Sequence, residues 1–283
     1  MNLLSKFLDR IEFTDYDDFK ANCKLKVPDK FNFAYDVIDE YARLAPEKRA
    51  ALWCNDKGEE KVITFGELAL LSKKIASVLK ANGINKGDVL MTMLNRRWEY
   101  WATIIACHRA GVIIVPATFL LTAKDIEYRI KNAGAKALIT VNEDSVIENV
   151  NEAKKNLGKD VVYFTVGDRD GYINFDEAFE NASEDFPRVE TDINDESVVY
   201  FTSGTTGYPK MVAHDYLYPL GFIYNAVYWH KVIDDGLHFT SSESGWAKCS
   251  WGKLYGQWIA GTCLFISEYF YARGITRAYV FAV

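Results

Sequence analysis

Val198-Val199-Tyr200-Phe201-Thr202-Ser203-Gly204-Thr205-Thr206-Gly207-Tyr208-Pro209-Lys210 is the stretch on which the reading of this chain turns. Its first four residues are β-branched or aromatic, the pattern of a short strand buried on both faces. The next six, Thr202 to Gly207, are all Thr, Ser or Gly. Glycines let a backbone turn its N–H groups inward and come close to a ligand, while hydroxyls add short donors. Lys210 adds a compact positive charge, and no acidic residue occurs from Ser197 to His214. A loop of this composition after a buried strand suits a phosphate group. It is not a Walker A loop, which needs glycine where Pro209 stands and Ser or Thr where Met211 stands. A flexible Ser/Thr/Gly linker is the plainer alternative, and the strand leading in and the Pro-Lys pair leading out argue against it.

Outward from that loop, strand and helix alternate. Thr64 and Glu67 have the spacing of a capping box, and Leu68, Leu71, Ile75, Val78 and Leu79 then recur at helical spacing. Gly83 sits where a left-handed cap would end that helix. Val89 to Leu94 reads as a strand, Trp98 to Ile105 as a helical face stopped by Gly111, and Val112 to Val115 as the next strand. Thr122 and Asp125 open another helix, and strands follow near Ala137 to Val141 and Val161 to Val166. Repeated β-helix-β units predict an α/β fold with mainly parallel sheets flanked by helices, whose ligands sit at the carboxyl ends of the strands. The acidic stretch Asn181 to Glu196, with Pro187, reads as a connection. It divides a first α/β subdomain with a helical N-terminal extension, 1–190, from the start of a second, 191–283, that carries the loop.

Composition bounds the function. At about 150 residues per domain, 283 residues make roughly two α/β units. The balance of 33 basic and 39 acidic residues, −6 net, argues against a nucleic-acid partner, which would need phosphates neutralised. Lys6, Asp9 and Arg10 interrupt the N-terminus, and His108, Arg109, Gly111 and Pro116 interrupt the most apolar later segment, so neither a secretory signal nor a membrane span is expected. Five cysteines form no CxxC, which points to reduced thiols in a cytoplasm and to no metal site.

Thr202 to Lys210 resembles the glycine-rich signature of the adenylate-forming (AMP-binding) superfamily, which includes acyl-CoA synthetases, luciferases and peptide-synthetase adenylation domains. Gly83-Ile84-Asn85-Lys86-Gly87-Asp88-Val89 and the segment Ala106 to Ala117 resemble further elements of that fold. Lys210 to His214, Ser242 to Lys248 and Trp251 to Trp258 look most like medium-chain acyl-CoA synthetases and their acetyl-CoA synthetase relatives. The resemblance implies a two-step acid-thiol ligase using ATP, Mg2+ and coenzyme A: a carboxylate, as in fatty acid metabolism, attacks the α-phosphate of ATP, and the thiol of coenzyme A then displaces AMP. Carried over by position, Thr202, Ser203, Gly204, Thr205, Thr206, Gly207 and Lys210 would hold the β- and γ-phosphates, with Lys210 as the catalytic residue. Gly245 and Trp246 would line the acyl pocket, Gly245 leaving room for substrate beside an indole wall. Relatives often carry aspartate where Glu243 stands, a departure that loosens this second assignment.

Other residues receive structural readings. Trp251 and Trp258, seven apart, share one helix face and read as core. His108, His230 and His238 read as packed residues, as does His214, which has no visible acid partner. Arg96 and Arg97 read equally as phosphate contacts or solvated helix-start residues. The likeness spans Phe33 to Ile266, and from Glu268 onward it stops. The family's adenine, ribose, hinge and C-terminal lysine segments, and most Mg2+ ligands, are not found. The expectation is therefore an incomplete ligase fragment, with an aryl-CoA ligase or other adenylate-former, or a non-catalytic nucleotide- or acyl-binding module, as alternatives. Thr262 to Ile266 reads as a strand lacking its cover, with an unpaired parallel edge.

Overall fold

Local signals set the element boundaries. Thr64 Oγ1 accepts from the Glu67 N–H at 3.2 Å and the Glu67 carboxylate accepts from the Thr64 N–H at 2.8 Å, which starts the helix Phe65–Ala81. Gly83, at φ +80°, ends it, and the Ile84 N–H reaches back to the Leu79 carbonyl at 3.0 Å. The same reciprocal cap joins Thr122 and Asp125 at the start of helix Ala123–Ala133, which Gly134 closes at φ +62°. The computed structural model describes residues 1–158, 160–203 and 207–268.

Eleven strands are found among the described residues: β1 (Arg49–Cys54), β2 (Glu60–Thr64), β3 (Val89–Met93), β4 (Ile113–Pro116), β5 (Ala135–Thr140), β6 (Val162–Thr165), β7 (Ile173–Asn174), β8 (Glu196–Thr202), β9 (Lys210–Asp215), β10 (Leu237–Phe239) and β11 (Cys263–Ser267). They build a seven-stranded sheet in the order β7-β6-β5-β3-β4-β8-β9 and a four-stranded sheet in the order β10-β11-β1-β2. All pairings are parallel except β8–β9 and β1–β2. Successive residues of the large sheet enter opposite cores. Leu90, Ile114, Ile139 and Val198 pack with the Phe65–Ala81 and Glu99–Ala110 side, whereas Met91, Val115, Leu138 and Val199 pack with helices Ala123–Ala133 and Asp144–Lys154. The mainly parallel α/β architecture read from the sequence is what the chain adopts.

Long-range strand pairing bears on two expectations. The boundary at 190/191 does not part the sheets: β8 and β9 complete the sheet that β3 begins, while β1 and β2 pair with β11. Nor is Thr262–Ile266 left with an open edge, since β11 lies between β10 and β1, with Leu264 paired to both His238 and Ala51. Leu264 and Ile266 are fully buried. Pairing of β4 with β8, as at Ile114↔Val198, and of β1 with β11, as at Ala51↔Leu264, joins strands far apart in the chain and carries no local signature.

The motif segments also have structural work. The Arg109 guanidinium is buried and makes a fork to Asp39 at 2.5 and 2.9 Å and a bond to Ser72 Oγ at 3.0 Å. Gly111, at φ +72°, lies so close to Lys86 that a Cβ would sit 2.7 Å from its Cγ, while the Gly87 N–H donates to the Gly111 carbonyl at 2.9 Å.

Candidate functional site

The strand that leads into the hydroxyl-rich loop is buried from Ser197 to Tyr200 and becomes exposed at Thr202. It pairs with β9 from Glu196↔Asp215 to Thr202↔Lys210, so the loop is the turn of an antiparallel hairpin at the carboxyl end of β8. Thr202 Oγ1 donates to the Lys210 carbonyl at 3.4 Å and helps close the stem. Thr202, Ser203, Gly207 and Lys210 are all exposed at this mouth. Gly204, Thr205 and Thr206 lie outside the described residues. No carboxylate among the described residues pairs with Lys210. Gly207 has φ +90° and no atom within 4 Å of where a Cβ would stand, so a left-handed turn, not close packing, requires glycine there.

The far limb of the loop is tied down by a residue that sequence reasoning passed over. Tyr128, on helix Ala123–Ala133, donates to the Pro209 carbonyl at 3.1 Å and stacks on the Tyr208 ring at 5.1 Å with 23° between planes. Its one sequence signal is an aromatic residue between the two buried isoleucines, Ile126 and Ile130, of an amphipathic helix.

A second group assembles where the two sheets meet. Asn95, just past β3, holds φ +48°, a conformation that asparagine tolerates better than most residues. Its carbonyl accepts from the Ser244 N–H at 3.3 Å and from Ser244 Oγ. The buried Glu243 carboxylate accepts from the Gly245 N–H at 2.9 Å. Burial pushes the Glu243 carboxyl upward, opposed by that bond, by a bond from Thr118 and by the charge of Arg96. A Cβ on Gly245 would stand 2.2 Å from Thr118 N and 2.3 Å from Ala117 C. The open space at Gly245 is thus occupied by the backbone that follows β4, which gives this glycine a packing reason that the pocket-lining expectation did not contain. Trp246 is 60% exposed. Tyr200, on β8, donates to Ser250 Oγ and so joins the loop strand to the helical segment after Trp246. No hydrogen bond or ion pair among the described residues links Lys210 to Gly245 or Trp246.

The remaining candidates resolve by their partners. Arg97 forks onto the buried Glu99 at 2.5 and 3.0 Å and lies 3.6 Å from Glu268, so its charge is already committed. Arg97 and Glu268 flank a cavity of about 440 Å³ at the carboxyl ends of β3, β5 and β6. Arg96 donates to the Ser241 carbonyl at 3.1 Å. His108 is fully buried, shares a 3.0 Å hydrogen bond with the Tyr255 hydroxyl, and is driven down to about 3 by burial, as a packed histidine should be. His214 is half-buried against the Tyr218 ring at 3.9 Å. Trp258 is buried and donates to the Ala50 carbonyl at 2.9 Å, but Trp251 is only half-buried. The wider π-helical turn Ser250–Leu254 breaks the seven-residue register that was expected to align the two indoles.

Among the described residues, no group of three or more His, Cys, Asp or Glu side chains could hold a metal ion, and no helix is long and apolar enough to cross a membrane.

Residues 38–268 match the family model described as AMP-binding enzyme. Over 261 residues the chain is 35% identical to the Homo sapiens acyl-coenzyme A synthetase ACSM3, mitochondrial, a match covering 89% of this chain and 44% of that protein. It is 37% identical over 251 residues to the Mus musculus acyl-coenzyme A synthetase ACSM5, mitochondrial, covering 86% and 43%. The crystal structure of Brucella canis acyl-CoA synthetase superposes with a TM-score of 0.78 at 23% identity, over 89% of this chain and 45% of that one. The match to that structure establishes a shared fold, and the chain spans less than half the length of each of these relatives.

Proposed function

Because the chain belongs to the AMP-binding enzyme family, we propose that it carries the phosphate-binding part of an ATP-dependent acyl-CoA ligase. In that reaction a carboxylate displaces pyrophosphate from ATP to give an acyl-adenylate, and coenzyme A then displaces AMP. The observation that carries the reading is the β8–β9 hairpin. The limb of its glycine- and hydroxyl-rich turn that holds Tyr208 and Pro209 is pinned by Tyr128, and Lys210 stands exposed at the carboxyl edge of the sheet with no carboxylate partner among the described residues.

Thr202, Ser203, Gly204, Thr205, Thr206 and Gly207 supply hydroxyl and backbone donors to the β- and γ-phosphates, and Lys210 supplies the charge. As pyrophosphate departs it gains negative charge, and donors already aimed at it stabilise that charge without reorganising, by about 3 kcal/mol for one good donor. Mg2+, when bound, would neutralise the same phosphates, and no step here is routed through it. Trp246 offers an exposed indole face to the acyl group, and Gly245 lets the loop that bears it seat against Ala117 and Thr118. The five cysteines are all free thiols, which fits a reducing compartment and the cytoplasmic residence included in this proposal.

The experiment is a thermal titration of the chain with ATP and with pyrophosphate. At ligand ten times above Kd, linkage stabilises the folded state by about 1.4 kcal/mol, a rise in Tm of about 3–6 °C for a domain of this size. Lys210→Ala should remove most of that rise. A parent chain whose Tm ignores both ligands, or a Lys210→Ala variant that responds as the parent does, overturns the proposal. A rise with ATP and no carboxylate-dependent pyrophosphate exchange marks a binding module that does not form adenylate by itself.

A further inference from the structure

Two histidines that the proposed reaction does not use come together beside β10. His230 follows the π-helical turn Asn225–Trp229, and His238 lies in β10. Their ring centroids are 5.3 Å apart, with 51° between planes, and both side chains are half-buried, not sealed from solvent. Each ring has one nitrogen already engaged. His238 Nε2 donates to the Gly252 carbonyl at 2.9 Å, and His230 Nδ1 faces the Gln257 amide at 3.1 Å. Gln257 is fully buried, and its Oε1 has no hydrogen-bond partner among the described residues.

We propose that His230 and His238 form a binding site for one divalent transition-metal ion of the zinc, nickel or copper type, with the Gln257 amide and the Gly252 carbonyl as its outer support. The spacing fits. With a metal–nitrogen bond of about 2.0–2.1 Å and about 1.1 Å more to the ring centre, two imidazoles at a tetrahedral angle place their centroids about 5.2 Å apart. The partners fit as well. A metal-bound histidine donates its other ring N–H to a carbonyl or carboxylate, which fixes its tautomer. Gly252 plays that part for His238 through the bond already in place. Gln257 plays it for His230 once the amide turns over, because Oε1 then accepts from Nδ1–H. Neutral imidazole suits zinc, copper and nickel, whereas magnesium and calcium prefer oxygen. Burial lowers the pKa of both rings and so favours the neutral, ligating form, although the positive charge of Lys253 near His238 opposes a cation and holds the expected affinity modest. Solvent completes the shell, since two ligating side chains are gathered here among the described residues. The site is independent of the ligase reading, and occupancy would clamp β10, which leads into Ser242–Trp246, to the end of the turn Asn225–Trp229.

The test has two arms on the 283-residue chain. In calorimetry, one Zn2+ should bind per chain. His230→Ala and His238→Ala should each weaken binding at least tenfold, and Gln257→Leu should weaken it about 10- to 100-fold, the usual consequence of losing an outer-shell partner. Cys23→Ser should bind as the parent does. In the second arm, Co2+ or Ni2+ added to the 15N-histidine-labelled parent should shift or broaden two imidazole resonances and spare the buried His108, a readout that needs no variant to fold. Absence of binding, binding indifferent to both histidine substitutions, binding lost in Cys23→Ser, or paramagnetic effects on residues other than His230 and His238 would each overturn the proposal.

Discussion

Gly245→Ala separates two explanations of one glycine. A Cβ added there would stand 2.2 Å from Thr118 N, 2.3 Å from Ala117 C and 2.5 Å from Thr118 Cα. All three are backbone atoms, so no rotamer change relieves the clash. Reaching the 3.4 Å at which ordinary contact begins means parting the two loops by 1.2 Å, the difference between 3.4 and 2.2. That movement strains the bond from the Gly245 N–H to Glu243 at 2.9 Å and the bond from the Ser244 N–H to Asn95 at 3.3 Å. Overpacking of this kind costs about 1–3 kcal/mol, and each weakened hydrogen bond adds about 1 kcal/mol. The expected loss is therefore about 2–4 kcal/mol, read as a lower urea midpoint at unchanged slope. Gly252→Ala is the control. It is helical with nothing within 4 Å of its Cβ position, and the substitution should stabilise by about 0.5–1 kcal/mol. If Gly245→Ala unfolds within about 0.5 kcal/mol of the parent, the close-approach reasoning is refuted, and the glycine serves to leave room for substrate instead.

Acid titration of stability should reveal two opposing groups. His108, brought down to about 3 by burial, contributes stability that is present above its ordinary value of 6.5 and is lost as pH falls toward 3. Glu268, raised to about 7 chiefly by burial, contributes stability that is present below 4.5 and is lost as pH rises toward 7. Between those limits the two slopes, each about 1.4 kcal/mol per pH unit, nearly cancel in the parent. His108→Gln should make stability fall with rising pH from 5 to 6, and Glu268→Gln should make it rise over the same range; urea midpoints that move together in both variants would contradict the assignment. Tyr128→Ala removes a stacked ring and a hydrogen bond from the loop, about 1–2 kcal/mol, and should weaken ATP binding about 5- to 30-fold in titration. Tyr128→Phe keeps the ring and should cost only about fivefold, whereas a Tyr128→Ala variant that titrates like the parent would show that this anchor does not order the loop.

Features governed by neighbours in sequence were legible in advance. The caps at Thr64 and Thr122, the stops at Gly83 and Gly134, and the strands of the large sheet from β3 to β6 all follow from side chains within a turn of one another or from a run buried on both faces. The loop from Thr202 to Lys210 was legible by its composition, and its place at the carboxyl end of β8 by the β-helix-β rhythm. The candidate site was read only in part. Tyr128 reaches Pro209 across 81 positions, and Asn95 reaches Ser244 across 149.

By itself, then, the amino-acid order determined the helices that start at Thr64 and Thr122, the strands β3 to β6, β8 and β11, and that the sheets are mainly parallel. Those outcomes depend on hydrogen bonds and hydrophobic periods spanning a few residues, and these are written locally. Only the tertiary structure decided that β1 shields β11, that β8 joins the first sheet, that Gly245 yields to the backbone at Thr118, and that His230 meets His238. Each of these is a contact between surfaces formed separately along the chain. Such contacts are selected by how shapes and buried polar groups fit once the elements pack, which no single stretch of residues specifies.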